Sequence, residues 1–171
     1  MVASADNLTG LANRLVAVTF LEKEFAKKAR NSSYRFSILL IDLDRFKQIN
    51  DEYGHDAGDY TLMTAGNTLI NCVRGQDLVA RWGGDEFIIV LPETRTKDAV
   101  MLGERLRDQV SSGVFEHGPF QYKLTISVGA CGSDLCETID DIFKRADLAL
   151  YDAKKHRNSV RGFMGDISVL G

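Results

Sequence analysis

The chain has 171 residues, of which 44% are hydrophobic and 26% charged, with a net charge of −3. That length suits one domain with a real core, and that balance excludes a nucleic-acid-coating or membrane-surface role. Its apolar runs are far too short to span a membrane, and the start, Met1-Val2-Ala3-Ser4, lacks the basic and apolar pattern of a signal peptide.

Residues 15–29 have helical spacing, with Leu15, Val18, Leu21 or Glu22, and Phe25 near one face. Residues 34–43 carry Ile38-Leu39-Leu40-Ile41, a run short and apolar enough for a central strand buried on both faces. A second helix is predicted over residues 56–73, with Tyr60, Met63, Asn67 and Ile70 along one line. Two short strands, 78–82 and 87–91, flank Gly83 and Gly84, which tolerate the positive φ of a tight hairpin. Residues 96–110 read as a third helix. Residues 122–130 alternate, with Leu124, Ile126 and Val128 on one side of a strand. A last helix covers 139–154 and packs Ile142, Ala146, Ala149, Leu150 and Ala153 inward. Crossovers combined with a hairpin predict an α+β fold: a mixed sheet of about five strands covered by helices, in a single domain over 1–171 with residues 1–5 as linker. The cysteines Cys72, Cys131 and Cys136 have no CxxC spacing, which points to a reducing, cytoplasmic setting and to small hydrophobes or spare thiols.

The acids carry the chemistry. Asp42 and Asp44 end the first strand, and Asp85 and Glu86 lie on the hairpin. Such carboxylates, brought together, repel one another and raise their own pKa values, and a divalent cation removes that cost. Oxygen ligands without histidine favour Mg²⁺, which completes its shell with water and phosphate. Each acid alone is better explained as a turn or cap residue. Lys47, five residues past Asp42, adds an ammonium beside backbone N–H groups that suit a triphosphate. Asn50 and Asp59 flank the Gly54-His55 turn, and an Asp there accepts from guanine N1–H and N2–H but meets an acceptor on adenine. Asp56 is expected to cap a helix, and His55 to be a structural hydrogen-bonder.

Five stretches resemble the GGDEF family of diguanylate cyclases: DNLTGLANR from Asp6, IDLDRFKQINDEYGHDAGD from Ile41, ARWGGDEF from Ala80, LTISVGA from Leu124 and RADLALYDAKKHRN from Arg145. Their order and most spacings agree over nearly the whole chain. The resemblance implies a palm-like, ferredoxin-like αβ fold, akin to nucleotidyl cyclases and polymerase palms. It implies condensation of two GTP into cyclic di-GMP with loss of two pyrophosphates, on Mg²⁺ or Mn²⁺, two ions per site. By position, Asp42, Asp85 and the Leu43 carbonyl would bind metal, with Glu86 at the attacking 3′-hydroxyl. Lys47, Lys154 and Arg157 would hold phosphates, Phe46, Gly83 and Gly84 would line the nucleotide, and Asn50 and Asp59 would read guanine. Arg74 and Asp77, with Arg105, match the family's inhibitory product site.

The implied reaction needs two domains face to face, hence a homodimer, and no nucleic-acid or membrane contact by this domain. The chain is expected to be an excised catalytic module or a minimal member, with an upstream sensor or dimerisation domain absent from it. Lys154-Lys155-His156-Arg157-Asn158 is one residue shorter than the family pattern and lacks its glycine, and Leu15 replaces a common basic residue. A catalytically silent receptor for GTP or cyclic di-GMP is the rival reading. Such members typically lose metal acids or glycines that are all present here.

Overall fold

The computed structural model describes residues 3–165 and the backbone of 169–170. In chain order the elements are α1 (Arg14–Arg30), β1 (Phe36–Leu43), α2 (Phe46–Tyr53), α3 (His55–Cys72), β2 (Leu78–Gly83), β3 (Glu86–Pro92), α4 (Thr96–Ser112), β4 (Phe115–His117), β5 (Phe120–Tyr122), β6 (Ile126–Gly132), α5 (Ile139–Lys154), β7 (Ser159–Phe163) and β8 (Val169–Leu170). The main sheet runs β2-β3-β1-β6-β7-β8, and β4 pairs with β5 as a separate hairpin. The fold is α+β, with five longer strands and a two-residue edge strand.

Every residue of β1 is buried, as expected for a strand with neighbours on both edges and helices on both faces. It lies antiparallel to β3 and to β6, while β6 and β7 run parallel. Side chains two apart share a face. Leu39, Ile41 and Leu43 join Phe87, Ile89 and Leu91 in the core beneath α3 and α4. Ile38 and Leu40 join Ile88 and Val90 beneath α1 and α5. The same period carries Asp42, two residues beyond Leu40, to the α5 side of the sheet.

The last helix packs as its spacing predicts: Ile142, Ala146, Ala149, Leu150 and Ala153 are all buried. Thr138 caps it, its hydroxyl accepting from Asp141 N while Asp141 accepts from the cap N–H. The line predicted for the second helix faces outward instead. Met63 and Ile70 are 44% and 42% exposed, and α3 buries Ala57, Gly58, Thr61, Leu62, Ala65, Gly66 and Leu69. These mostly small side chains let the helix lie close to the sheet. Leu15 is likewise exposed, and α1 buries Ala17, Leu21 and Glu24.

The elements α2, the β4–β5 hairpin, β7 and β8 go beyond the sequence reading. The predicted strand over 122–130 is divided, since Tyr122 ends β5 and β6 begins at Ile126. Of the predicted linker, residues 1 and 2 lie outside the described residues. Ala5 bridges to Ala12, and Asn13 donates through its backbone to Ser4 O and through its side chain to Ala3 O.

Candidate active site

Asp42 on β1 and Glu86 on β3 are register partners, so both point to the α5 side. Asp85 occupies the turn, and its carbonyl accepts from Leu43 N at 3.2 Å. Lys154, at the C-terminal end of α5, reaches Asp42 Oδ2 with its ammonium. Asp42 Oδ1 is buried and has no hydrogen-bond partner. Burial pushes the Asp42 carboxyl up; Lys154 opposes this, and Asp85 and Asp44 add to the rise. Burial also raises Glu86, helped by Asp42 and Asp85. Burial works against the Lys154 ammonium, yet Asp42, Glu86 and Asp85 outweigh it and raise its pKa.

That pattern is negative charge in excess of its counterions. Among the described residues no group of three or more His, Cys, Asp or Glu side chains is set to hold a metal ion. The expected set has only two carboxylates, Asp42 and Asp85, with the Leu43 carbonyl. It fits a hard cation: the orphaned Asp42 oxygen needs one, and the Lys154 ammonium already stands in for one on the neighbouring oxygen.

The hairpin differs in detail from expectation. Gly83 pairs with Glu86 as the last residue of β2, so the turn residues are Gly84 and Asp85. Neither glycine takes a positive φ. The β2–β3 register shifts between Arg81 and Gly83, a bulge that supplies the bend the expected left-handed residues would have given. A Cβ added at Gly84 would meet nothing within 4 Å, so the top of the turn is open.

Arg81 fixes this turn, a role the sequence reading missed. Its Nε and Nη2 donate to Gly84 O at 3.1 and 2.9 Å. Its Nη1 lies 3.2 and 3.3 Å from the two Asp6 carboxylate oxygens. Asp6 is itself held by the Thr9 N–H and hydroxyl at 2.8 and 2.7 Å. The opening DNLTG stretch thus clamps the hairpin across 75 residues. Only the two motifs' joint presence could have hinted at it.

Asp44 leaves the group of acids that the sequence seemed to offer a metal. Its oxygens accept from the Thr125 hydroxyl at 2.7 Å, the Ser127 hydroxyl at 2.7 Å and Asn158 N at 2.8 Å. With both oxygens committed, it ties β1 to β6 and to the turn after α5. That turn forms without the missing glycine, because Arg157 and Asn158 both adopt left-handed backbone, φ 54° and 42°. Asn tolerates this conformation better than most residues. The Arg157 side chain is exposed.

Phe46 and Lys47 open α2, whose start carries no side-chain cap. Its first N–H groups therefore remain available to a ligand. Lys47 is exposed, as is Asp59 on α3, while Asn50 is half-buried. Gly58 makes room for Asn50: a Cβ there would sit 1.7 Å from Asn50 Oδ1 and 3.3 Å from Phe46 Cζ. Asn50 and Phe46 therefore lie against the α3 turn that carries Asp59. A separate cavity of about 560 Å³ opens beside Asp42 and Glu86 on the α1/α5 side, bounded by Arg14, Trp82, Phe143 and Asp147. Trp82 stacks on Phe143 at 4.5 Å with the Arg14 guanidinium 4.2 Å above its ring. Sequence spacing gave no sign of this cavity, and Asn50, Asp59 and Lys47 do not line it.

Arg74, Asp77 and Arg105 meet in another concavity, of about 320 Å³. Arg74 Nη2 donates to Asp77 Oδ1, Pro92 O and Thr94 Oγ1, each at 2.9 Å. Arg105 Nη2 donates to Cys72 O at 3.1 Å.

Residues 3–159 match the family described as diguanylate cyclase, GGDEF domain. The chain belongs to the GGDEF family. It is 42% identical over 160 residues to the diguanylate cyclase DgcM of Escherichia coli strain K12, an alignment that covers 92% of this chain and 38% of DgcM. It is 40% identical over 165 residues to the response regulator PleD of Caulobacter vibrioides, covering 94% of this chain and 36% of PleD. The chain thus spans little more than a third of these relatives' length.

Among solved structures, the GGDEF domain of DgcB from Caulobacter crescentus, in complex with c-di-GMP, superposes with a TM-score of 0.90 at 27% identity, over 96% of this chain and 98% of that one. Diguanylate cyclase SiaD of Pseudomonas aeruginosa, in complex with its activator SiaC, gives 0.88 at 37% identity, over 94% and 62%. The GGDEF assignment accounts for the palm-like sheet and for the hairpin beside β1.

Proposed function

We propose that this domain is a diguanylate cyclase that joins two GTP into cyclic di-GMP and releases two pyrophosphates. The observation that carries the reading is the buried, half-satisfied Asp42 carboxylate, set against Glu86 and Asp85 at the open GGDEF turn. Asp42, Asp85 and the Leu43 carbonyl would hold Mg²⁺ or Mn²⁺, two ions in the family pattern. Bound there, the metal supplies charge neutralisation at the α-phosphate and acidifies the attacking 3′-hydroxyl.

The chain's own groups do the rest. Lys47 and the free N–H groups opening α2 hold the triphosphate, joined by Lys154 once it leaves Asp42, and by Arg157. Asn50 and Asp59 orient guanine, with Phe46 beneath them, while the open surface over Gly83 and Gly84 lets the nucleotide approach. Glu86 accepts the proton of the 3′-hydroxyl. Each domain presents one GTP, so two domains meet with two-fold symmetry and the rate depends on dimerisation.

The test is incubation of concentrated protein with GTP and Mg²⁺, followed by chromatography of the nucleotides. Cyclic di-GMP is expected, with specific activity falling on dilution. Unchanged GTP over a folded dimer would refute the proposal and leave the receptor reading.

Protons compete for the same acids. A carboxyl whose folded-state pKa is raised binds its proton more tightly in the folded protein, so it favours folding as pH falls through that raised value and opposes folding above it. Mg²⁺ relieves the opposition. The melting temperature should therefore rise more on adding Mg²⁺ at about pH 8 than at a distinctly acid pH, where protons compete with the metal for Asp42 and Glu86. Asp42→Asn should flatten the difference. Thermal melts at the two pH values, with and without the metal, check this.

The concavity at Arg74, Asp77 and Arg105 is read as the product brake. Guanidinium groups stack on guanine and fork onto phosphate, and Asp77 accepts from guanine N–H groups. Arg74 also holds Pro92 and Thr94, so its removal would perturb the fold. Arg105→Ala is the cleaner probe, and it should raise the half-inhibitory concentration of cyclic di-GMP by about tenfold with the initial rate unchanged.

A further inference from the structure

Cys131 and Cys136 lie at the other end of β6 from Asp44's partners, far from the GGDEF turn. Their sulfurs are 3.8 Å apart, and both residues are buried, at 1% and 0% exposure. Cys131 is the penultimate residue of β6, and Cys136 follows the short 3-10 turn Ser133–Leu135 that leads into α5. Both thiols are directed at the same carbonyl, Gly132 O, at 3.4 and 3.5 Å. The Arg145 guanidinium stands 3.6 Å from Cys136 Sγ. The shared hydrogen bond from Cys131 and the charge of Arg145 favour the Cys136 thiolate, while the same hydrogen bond and burial hold Cys131 as a thiol. One thiolate beside one thiol is the division of labour that disulfide formation uses.

The pair is buried but not sealed. A cavity of about 390 Å³ has Cys131 in its wall, with Arg35, Arg95, Lys97 and Phe163 around it. This route brings a small neutral oxidant to the Cys131 wall, and Cys136 Sγ lies 3.8 Å behind it. Closing from 3.8 Å to a bond of about 2.05 Å takes movement by two side chains whose backbones are joined by a short loop. Cys72 lies elsewhere, at the end of α3, and has no such partner.

We propose that Cys131 and Cys136 form a redox-active dithiol, oxidised to an intramolecular disulfide by a hydroperoxide. The Cys136 thiolate attacks one peroxide oxygen. An S–O bond forms, the O–O bond breaks, and the departing oxygen leaves as an alcohol, or as water from hydrogen peroxide, after taking a proton. Cys131 sulfur then attacks the sulfenic sulfur. The S–S bond forms, the S–O bond breaks, and hydroxide leaves with the Cys131 proton as water. Two thiols are oxidised and one peroxide is reduced. The bridge ties the end of β6 to the entry of α5 beside Arg145.

Residues 124–144 contain no internal Lys or Arg, so one tryptic peptide carries both sulfurs and excludes Cys72. The folded protein is treated with hydrogen peroxide, denatured, alkylated and digested. The expected peptide has no alkyl group and is lighter than the reduced form by two hydrogen atoms, and dithiothreitol restores alkylation at both sites. Cys131→Ser should instead trap a sulfenic acid on Cys136 that dimedone labels. A second probe needs no variant: phenylarsine oxide should bridge the two thiols of the native protein with one arsenic per chain. Full alkylation of the 124–144 peptide after peroxide, or oxidation confined to Cys72, would overturn the proposal.

Discussion

Asp85→Asn and Asp42→Asn should each lower cyclic di-GMP synthesis by about a hundredfold to a thousandfold while leaving the domain folded. Both changes keep the shape of the side chain and delete its charge. A metal and a triphosphate gathered at one point depend on that charge, and groups that stabilise transition-state charge in a site sheltered from water are worth about 10²–10³ in rate each. The two variants separate in a second way. Asp42 is 6% exposed and bonded to Lys154, and its charge is costly in the metal-free protein. Asp42→Asn should therefore change the metal-free melting temperature by no more than a few degrees. Asp85 stands on the turn, and its replacement should be nearly silent in stability. A product assay at saturating GTP and Mg²⁺, paired with thermal melts, checks both. Retention of a tenth of the activity by either variant would remove that carboxylate from the proposed ligand set.

Gly129→Ala should be the most damaging single methyl group in the domain. Gly129 sits in β6 directly beneath α5, where an added Cβ would fall 2.4 Å from Ala146 O, 2.4 Å from Leu150 N and 2.8 Å from Leu150 Cα. These are backbone atoms of a helix and cannot rotate away. The helix must lift from the sheet, opening the contacts of Ala146, Ala149, Leu150 and Ala153 and shifting Lys154 at its end. Overpacking of this kind costs about 3 kcal/mol, or about 6–12 °C in melting temperature for a domain of this size. Gly84→Ala is the matched control, since nothing lies within 4 Å of its added methyl. It should melt within about 2 °C of the parent. Equal melting temperatures for the two variants would mean that α5 does not pack on β6 at this glycine.

The parts of the architecture legible in sequence are those with unambiguous periodicity. The apolar run of β1, the alternation through Leu124, Ile126 and Val128, and the inward line of α5 could each be read because one face or both are buried continuously. The reading failed where other physics sets the pattern. On α3 Met63 and Ile70 lie outside, while Leu62 and Leu69 are buried among the small residues Ala57, Gly58, Ala65 and Gly66 that let the helix lie close to the sheet. Eight residues, with Phe46, Ile49 and Tyr53 as its apolar spine, left α2 too short to stand out from turn chemistry.

The convergence of acids at the end of β1 was foreseeable because carboxylates at a strand end and on a hairpin meet in a mixed sheet. The separate fates of Asp42 and Asp44 were not, for both are aspartates two residues apart. Only the hydroxyls of Thr125 and Ser127, brought alongside by β6, give Asp44 its partners and leave Asp42 short of one. The clamp from Asp6 through Arg81 to Gly84, and the left-handed turn at Arg157 and Asn158, likewise depend on contacts between distant segments.

The most direct test is to crystallise the protein with Mn²⁺ and a non-hydrolysable GTP analogue and locate the metal by its anomalous scattering. An anomalous peak within bonding distance of Asp42 and Asp85, with Lys154 moved from Asp42 to the phosphates, is the predicted result. Nucleotide bound with no peak at these carboxylates, or with Lys154 still on Asp42, would contradict it.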